Sequence, residues 1–431
     1  MNNKIKVLIV CHFSNDMVRK HLPLDNRKIF NRIRGIFGLP YKGTEYADIA
    51  SWDTNIIDNL SKRDDVDLYV ISAHTGLKKS TVSFVLGNVK YWFIRCEVAN
   101  MLKYVIKSPA LWHKLNPMRP KVRRIVRRVN PDVIALIGAE NAYYSGTVLG
   151  LENEYPIIVK AQTVYNNPKF LQELSSFDEK NSYVEKLIFN RMNYFAVNTT
   201  LHCSLFRQYN PKAYNFKWKL ATTFPEVKPM KKEYDFVNFA MNMSPAKGFN
   251  DAIRALSIVR KKFPETRLNL IGGESGENIN IIKKLIVELD LQNNVVLTPL
   301  FPKQSDMFQH IQKARFALLP CKLDSVSSTI VQAMYYELPV ICYKTEGTVQ
   351  LNQEEEKVLI AENGNYEDLA KQMLRFMSEP ETTERLKIAA KIDIDMKNDN
   401  QKLTEQIVAN LKAVIANFRN GTEVPTKLLF D

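Results

Sequence analysis

Short apolar runs alternate with amphipathic stretches along most of this chain. Residues 4–12 are mostly apolar and rich in β-branched side chains, the profile of a central parallel strand buried on both faces. Trp52, Ile56, Ile57 and Leu60 recur at helical spacing, and D-L-Y-V-I over 67–71 reads as the next strand. Further strands are expected over 132–137, 157–159 and 194–197. Strand, helix and strand joined by short polar loops make βαβ units. Residues 222–233 hold two prolines and clustered lysines with no periodicity, which marks a linker. Beyond it the alternation is cleaner. Strands over 235–240, 267–271, 294–297, 316–319 and 339–343 interleave with helices over 247–263, 278–289, 306–314 and 329–337. A long amphipathic helix follows over 401–418. The pattern predicts an α/β chain of two Rossmann-like domains facing each other across a cleft. They span 1–225 and 226–400, and a C-terminal helix and tail, 401–431, is expected to pack back on the first.

A chain of 431 residues with 45% apolar and 10% aromatic side chains has the material for two such cores. No apolar run approaches the roughly 18 residues of a membrane span, and the opening run reads as a first strand instead of a signal peptide. The five cysteines are odd in number, widely spaced and without a C-x-x-C pair. Neither a disulfide framework nor a zinc site is indicated, and a reducing cytoplasm is the expected location.

Charge divides the chain. Residues 1–225 hold 33 Lys and Arg against 18 Asp and Glu, whereas the remainder holds 27 against 28. From Leu77 to Arg128 there are 13 basic residues and one acid, Glu97. Such asymmetry points to an anionic partner touched by the first half. In that stretch Phe84, Tyr91, Trp92, Phe93, Tyr104 and Trp112 interleave with lysines and arginines. It closes on R-P-K-V-R-R-I-V-R-R-V-N, where Val122, Ile125, Val126 and Val129 share one helical face. Two readings stand: an element resting peripherally on anionic lipid headgroups, or a domain helix with a solvated basic face. No nucleic-acid-reading signature accompanies the charge, so nucleic acid is not an expected partner.

Candidate chemistry concentrates in the second half. M-N-M-S-P-A-K-G, residues 241–248, follows a strand and opens a helix, placing Lys247 beside free helix N–H groups that suit a diphosphate. Gly272 and Gly273 end a strand, where they serve a plain turn or a close backbone approach to a ligand. Their spacing is not the dinucleotide fingerprint, and no acid ends the next strand. L-P-C-K-L-D-S-V-S-S-T-I-V-Q-A-M, residues 319–334, reads as a strand end, a polar loop carrying Asp324, and a helix start crowded with Ser327, Ser328 and Thr329. Gln332 lies one turn beyond Ser328. Thr329 and Gln332 also have the spacing of a capping box, which would explain Gln332 by helix initiation alone. In the first half His12, Ser14 and Asn15 follow the first strand, and Gly138, Glu140 and Asn141 follow the strand over 132–137.

The order and spacing of these residues resemble the retaining glycosyltransferases of the GT-B fold, of the family 4 type common in bacterial polysaccharide synthesis. The resemblance rests on Lys247 with Gly248, on Asp324, on Gln332 with Ala333 and Met334, and on E-L-P-V-I, residues 337–341. It implies a nucleotide-diphosphate sugar as donor, a glycan or lipid-linked glycan as acceptor, and no cofactor or dedicated metal ion. It assigns donor binding to Asn242, Lys247, Gly248, Gly272, Gly273, Ser327, Ser328, Thr329 and Gln332. Glu140, Lys247 and Asp324 are the expected catalytic residues. The chain departs from the family where Asn242 replaces an arginine and where Asp324 and Gln332 replace two glutamates. The alternatives are a non-catalytic binding subunit and a nucleotide-sugar epimerase of the same fold.

Overall fold

A computed structural model describes residues 4–25, 46–168, 171, 177–219, 222, 224–273, 277–323 and 326–430. The chain divides into two compact units, one of residues 1–223 with 400–431, the other of residues 224–399.

The first unit is built on an eight-stranded sheet. Its strands are β1 (Ile5–Cys11), β2 (Val66–His74), β3 (Thr81–Leu86), β4 (Val89–Arg95), β5 (Val133–Ile137), β6 (Ile157–Lys160), β7 (Tyr194–Val197) and β8 (Tyr214–Lys217). Their order is β3-β4-β2-β1-β5-β6-β7-β8, parallel throughout except for β3, which runs against β4. Alternate residues of β1 face opposite cores. Leu8 and Val10 pack with Trp112, Val122, Val126 and Phe189 on one side. Val7 and Ile9 pack with Ile56, Ile57 and Leu60 on the other, where Ile407, Val408, Leu411 and Val414 of the helix Asn400–Asn420 complete the layer. That last helix is also held by ion pairs, Lys412 to Asp65 and Arg419 to Asp132, each at 2.6 Å.

The second unit carries six parallel strands: β9 (Tyr234–Asn242), β10 (Leu268–Gly273), β11 (Val295–Pro299), β12 (Ala314–Leu319), β13 (Val340–Tyr343) and β14 (Leu359–Ala361). Their order, β11-β10-β9-β12-β13-β14, is that of a doubly wound sheet. One core holds Phe236, Leu256, Leu270 and Phe376, and the other Phe239, Ile330, Met334 and Ile394.

Several expectations change. Residues 81–95 form the β3–β4 hairpin, and Tyr91, Trp92 and Phe93 are core side chains, as is Trp112. These aromatics are spent inside the unit and do not face a lipid surface. The helix Met118–Val129 does bury Val122, Ile125, Val126 and Val129. Its basic face is not uniformly solvated, however, because Arg123 Nη2 donates to the Leu149 carbonyl at 2.8 Å. The helix expected over 306–314 is Gln304–Ile311, and Ala314 already belongs to β12. Glu337 closes the helix Ser328–Tyr335 with φ +57°. This left-handed position, usually taken by glycine, lets the chain turn straight into β13.

Lys160, at the end of β6, is 2% exposed, and no described residue hydrogen-bonds or pairs with its side-chain ammonium. Burial alone pulls its pKa down to about 7. Below pH 7 the folded chain carries a desolvated ammonium, and the cost fades as pH rises from 7 toward the ordinary lysine range. Lys160→Met should therefore raise the melting temperature at pH 6 and raise it progressively less up to pH 10, a trend thermal unfolding across pH would check.

Candidate functional site

Doubly wound sheets bind ligands where the strand order reverses, because the connections on either side leave in opposite directions and open a crevice. In the second unit that point lies between β9 and β12, which pair directly. The two segments singled out in the sequence, 241–248 and 319–334, are the loops that leave these two strands.

They are joined to one another. Lys322 N donates to the Ala246 carbonyl at 2.9 Å. Lys247, ending a 3-10 turn over Pro245–Lys247, brings Nζ to 3.5 Å from Cys321 Sγ. Gly248 follows at φ +71°, and a Cβ there would stand 2.1 Å from the Pro320 carbonyl oxygen. Only glycine allows this approach. Lys322 pairs with Asp251 at 3.1 Å, and Asp251 also accepts from the Tyr343 hydroxyl at 3.0 Å. Asn363 Nδ2 donates to the carbonyls of Lys322 and Lys344, bracing the β12 loop from β14's side. Two lysines thus sit at one strand end, and Lys322 has its counter-charge in Asp251.

The helix Ser328–Tyr335 begins beside them. Its N-cap is Ser327, which makes no side-chain capping bond and instead shares a 2.8 Å hydrogen bond with the Thr329 hydroxyl. Thr329 lies inside the first turn, so the Thr–Gln capping box does not form. Gln332 is nevertheless buried, and no described residue hydrogen-bonds its side-chain amide. Helix initiation does not account for it. Asp324 lies outside the described residues.

Gly272 and Gly273 are explained by packing. A Cβ on Gly272 would meet Met243 Cγ at 2.9 Å, and one on Gly273 would meet the Met241 carbonyl at the same distance. They admit the β9 loop over a register shift between β10 and β9. Asn242 is exposed, and its side chain accepts from Ser244 N at 3.2 Å, shaping the turn.

The first unit has its own reversal, between β1 and β5, and titratable groups gather there. His12 follows β1 and its Nδ1 hydrogen-bonds the Tyr143 hydroxyl. Burial, with His74 nearby, lowers the His12 pKa to about 4, so the ring is neutral at physiological pH. His74 Nε2 lies 3.2 Å from Ser14 Oγ. Asn15 caps the short helix Asp16–Arg19, accepting from Val18 N at 2.9 Å. Glu140 follows β5. Its Oε1 accepts from Asn141 Nδ2 at 3.5 Å, while Oε2 is enclosed with no partner among the described residues. Burial pushes its pKa up to about 7 against the pull of the backbone N–H groups of Glu140, Gln162 and Ala139. Asp53 is likewise raised, first by burial and then by Glu140. Gly138, at φ +91°, makes room for the Tyr144 hydroxyl, which donates to the Ile137 carbonyl at 2.9 Å. Sequence reasoning passed over Asp53, His74, Tyr143, Tyr144 and Gln162, whose Nε2 is also enclosed and unpartnered among the described residues. The available signal was their position at or opposite carboxyl ends of predicted strands. Among the described residues no three His, Cys, Asp or Glu side chains converge as metal ligands.

Residues 221–393 match the family described as Glycosyl transferases group 1. The chain carries a group 1 glycosyltransferase domain. This domain coincides with the second unit. An uncharacterized glycosyltransferase of Haemophilus influenzae is 24% identical over 161 residues, 37% of this chain and 44% of its own, so the chain spans less than half of that relative. Two solved structures share the fold over nearly the whole chain. Sucrose-phosphate synthase from Thermosynechococcus elongatus has a TM-score of 0.69 at 13% identity, covering 96% of this chain and 100% of its own. Anabaena HepE, solved in complex with UDP-glucose, has a TM-score of 0.64 at 15% identity, covering 95% and 100%. The fold is GT-B.

Within the group 1 domain, Lys247, Gly248 and the Ser327–Thr329 helix start come from loops of two adjacent strands, and Gln332 lies one turn into that helix. Gly272, Gly273 and Asn242 have structural duties in the same region. Glu140 belongs to the other unit. Gly248→Ala should lower the stability of the domain by about 1–2 kcal/mol or more in urea unfolding, since the added methyl meets backbone and the left-handed φ is lost to it. For Glu140 the sign is opposite to that of a salt-bridged acid. The folded chain holds its proton longer than the unfolded chain, so stability falls as pH rises from the ordinary carboxylate range to about 7 and then levels. Glu140→Gln should melt close to the parent at pH 4.5 and above it at pH 7.5, as read by calorimetry across pH.

Proposed function

We propose that the chain is a hexosyltransferase that moves a sugar, with retention and without a dedicated metal ion, from a nucleotide-diphosphate sugar to a glycan or lipid-linked glycan. Its setting is bacterial cell-surface polysaccharide synthesis, including capsule, at the cytoplasmic face of the membrane. The observation that carries this reading is the junction of the β9 and β12 loops at the switch point of the group 1 domain. Lys247 is held there against Cys321, beside a helix start with three hydroxyls.

The chemistry follows from electrostatics. As the glycosidic bond to the donor breaks, negative charge grows on the departing diphosphate. Lys247 and the first-turn N–H groups of the helix Ser328–Tyr335 supply fixed positive potential for that charge, which stabilises the transition state more than the ground state. Asp324 and Gln332 then address the sugar and ribose hydroxyls, the Gln by hydrogen bonding without charge. The acceptor hydroxyl attacks the face the diphosphate leaves and passes its proton to the departing phosphate oxygen, and its orientation supplies much of the acceleration. Glu140, with a pKa near neutrality and an unpartnered oxygen, is suited to accept a hydrogen bond from an acceptor hydroxyl. HepE, solved with UDP-glucose, supports a uridine nucleotide as the first donor to try.

The uncharged Gln332 also favours a second reading, a binding subunit that holds the donor without turnover. A panel of nucleotide sugars read by thermal shift and by product formation separates the two. Transfer should be detected for at least one donor, with the anomeric configuration kept by NMR. Lys247→Ala should lower kcat/KM by about 100-fold or more. A thermal shift without turnover would assign the binding role, and no response to any donor would reject both.

A further inference from the structure

The helices Glu97–Val105 and Pro109–Leu115 present apolar side chains outward. Val98, Met101, Tyr104, Val105, Leu111 and Leu115 are 43–83% exposed. Positions 98, 101, 104 and 105 fall on one side of the first helix at its 3.6-residue period. The opposite side is anchored. Ala99 and Trp112 are fully buried, and Trp112 Nε1 donates to the Ala99 carbonyl at 3.1 Å, which fixes the two helices to each other. Lys103 ties the first helix to Asp178 at 2.8 Å. These are ordered helices whose outer face is apolar by composition, not loosened core elements. Six large apolar side chains exposed on two joined helices are uncommon on a protein with no use for them.

The surrounding charge identifies what would cover it. Lys107 and Lys114 are exposed within the same stretch, and the helix Met118–Val129 exposes Arg124, Arg127 and Arg128. The single acid of residues 77–128, Glu97, is engaged by the Gly76 N–H. Large apolar groups beside exposed lysines, with Tyr104 able to place its ring at a headgroup boundary, match a surface that is apolar inside and anionic outside. A folded acidic protein partner would answer the charge but not six outward apolar side chains.

We propose that this helix pair docks on an anionic lipid bilayer. Val98, Met101, Tyr104, Val105, Leu111 and Leu115 enter the boundary between headgroups and acyl chains. Lys107, Lys114 and the arginines contact headgroup phosphates. The proposal rests on the reading of the basic first unit as membrane-facing, and it adds the side chains that enter the bilayer. It is independent of the donor site.

The test uses the full chain and vesicles of phosphatidylcholine with or without phosphatidylglycerol, read by co-sedimentation. Binding is expected to anionic vesicles and not to neutral ones. Met101→Ser with Leu115→Ser should weaken it at least tenfold with an unchanged circular-dichroism melt, and a residual salt-resistant fraction should disappear. Arg124→Glu with Arg127→Glu and Arg128→Glu should weaken binding and remove most of its salt dependence. Loss of binding in the arginine variant alone, with the serine variant binding like the parent, would overturn insertion and leave only surface charge. No binding to any vesicle would overturn both. A dimer in sedimentation velocity that the serine substitutions dissociate would assign the face to a second copy and overturn the lipid proposal. Turnover of a soluble nucleotide sugar by the same preparations reports separately on the donor reading.

Discussion

Both units depend on the reversal of strand order beside their first strand. A parallel sheet whose connections all ran one way would cover the carboxyl ends of its strands evenly. Where winding changes direction, two neighbouring loops part and backbone groups at strand ends are left facing a crevice. In the first unit this happens between β1 and β5, and His12 meets Tyr143 there. In the second it happens between β9 and β12, and Lys247 meets Cys321. Each pair is far apart in sequence, and each is brought together by the same topological accident of a doubly wound sheet.

The two crevices are electrostatically different, and the difference follows from solvation. At β9 and β12 the side chains are cationic and partly exposed, and Lys322 already has its counter-charge in Asp251. Such groups suit an anion. At β1 and β5 the groups are enclosed. Burial neutralises His12 and raises Glu140 and Asp53, so that region offers hydrogen-bonding groups and a proton near neutrality in place of fixed charge.

Much of this was legible along the chain. The alternation after residue 233 marks five of the second unit's six strands, because parallel strands buried on both faces are continuous apolar runs and the helices between them show a period near 3.6; β14, only three residues long, left no such run. The β3–β4 hairpin was not legible. Its aromatic and basic residues alternate as they would on an amphipathic surface, and burial of Tyr91, Trp92 and Phe93 depends on β4 pairing with β2. The capping-box spacing of Thr329 and Gln332 misleads for a related reason. Helix starts are set by where the chain leaves β12, and that places Ser327 at the cap, two residues early.

By itself the sequence determined the α/β class and the charge of the first half, and it marked the loops on which the proposed reading rests. These depend on local period and composition, which a chain carries in one dimension. Tertiary structure alone decided that Gly248 lies against Pro320, that Glu140 is enclosed, and that Met101 and Tyr104 point outward while Trp112 points in. Burial and close approach are properties of pairs of segments distant in sequence, and they exist only once the sheets have closed.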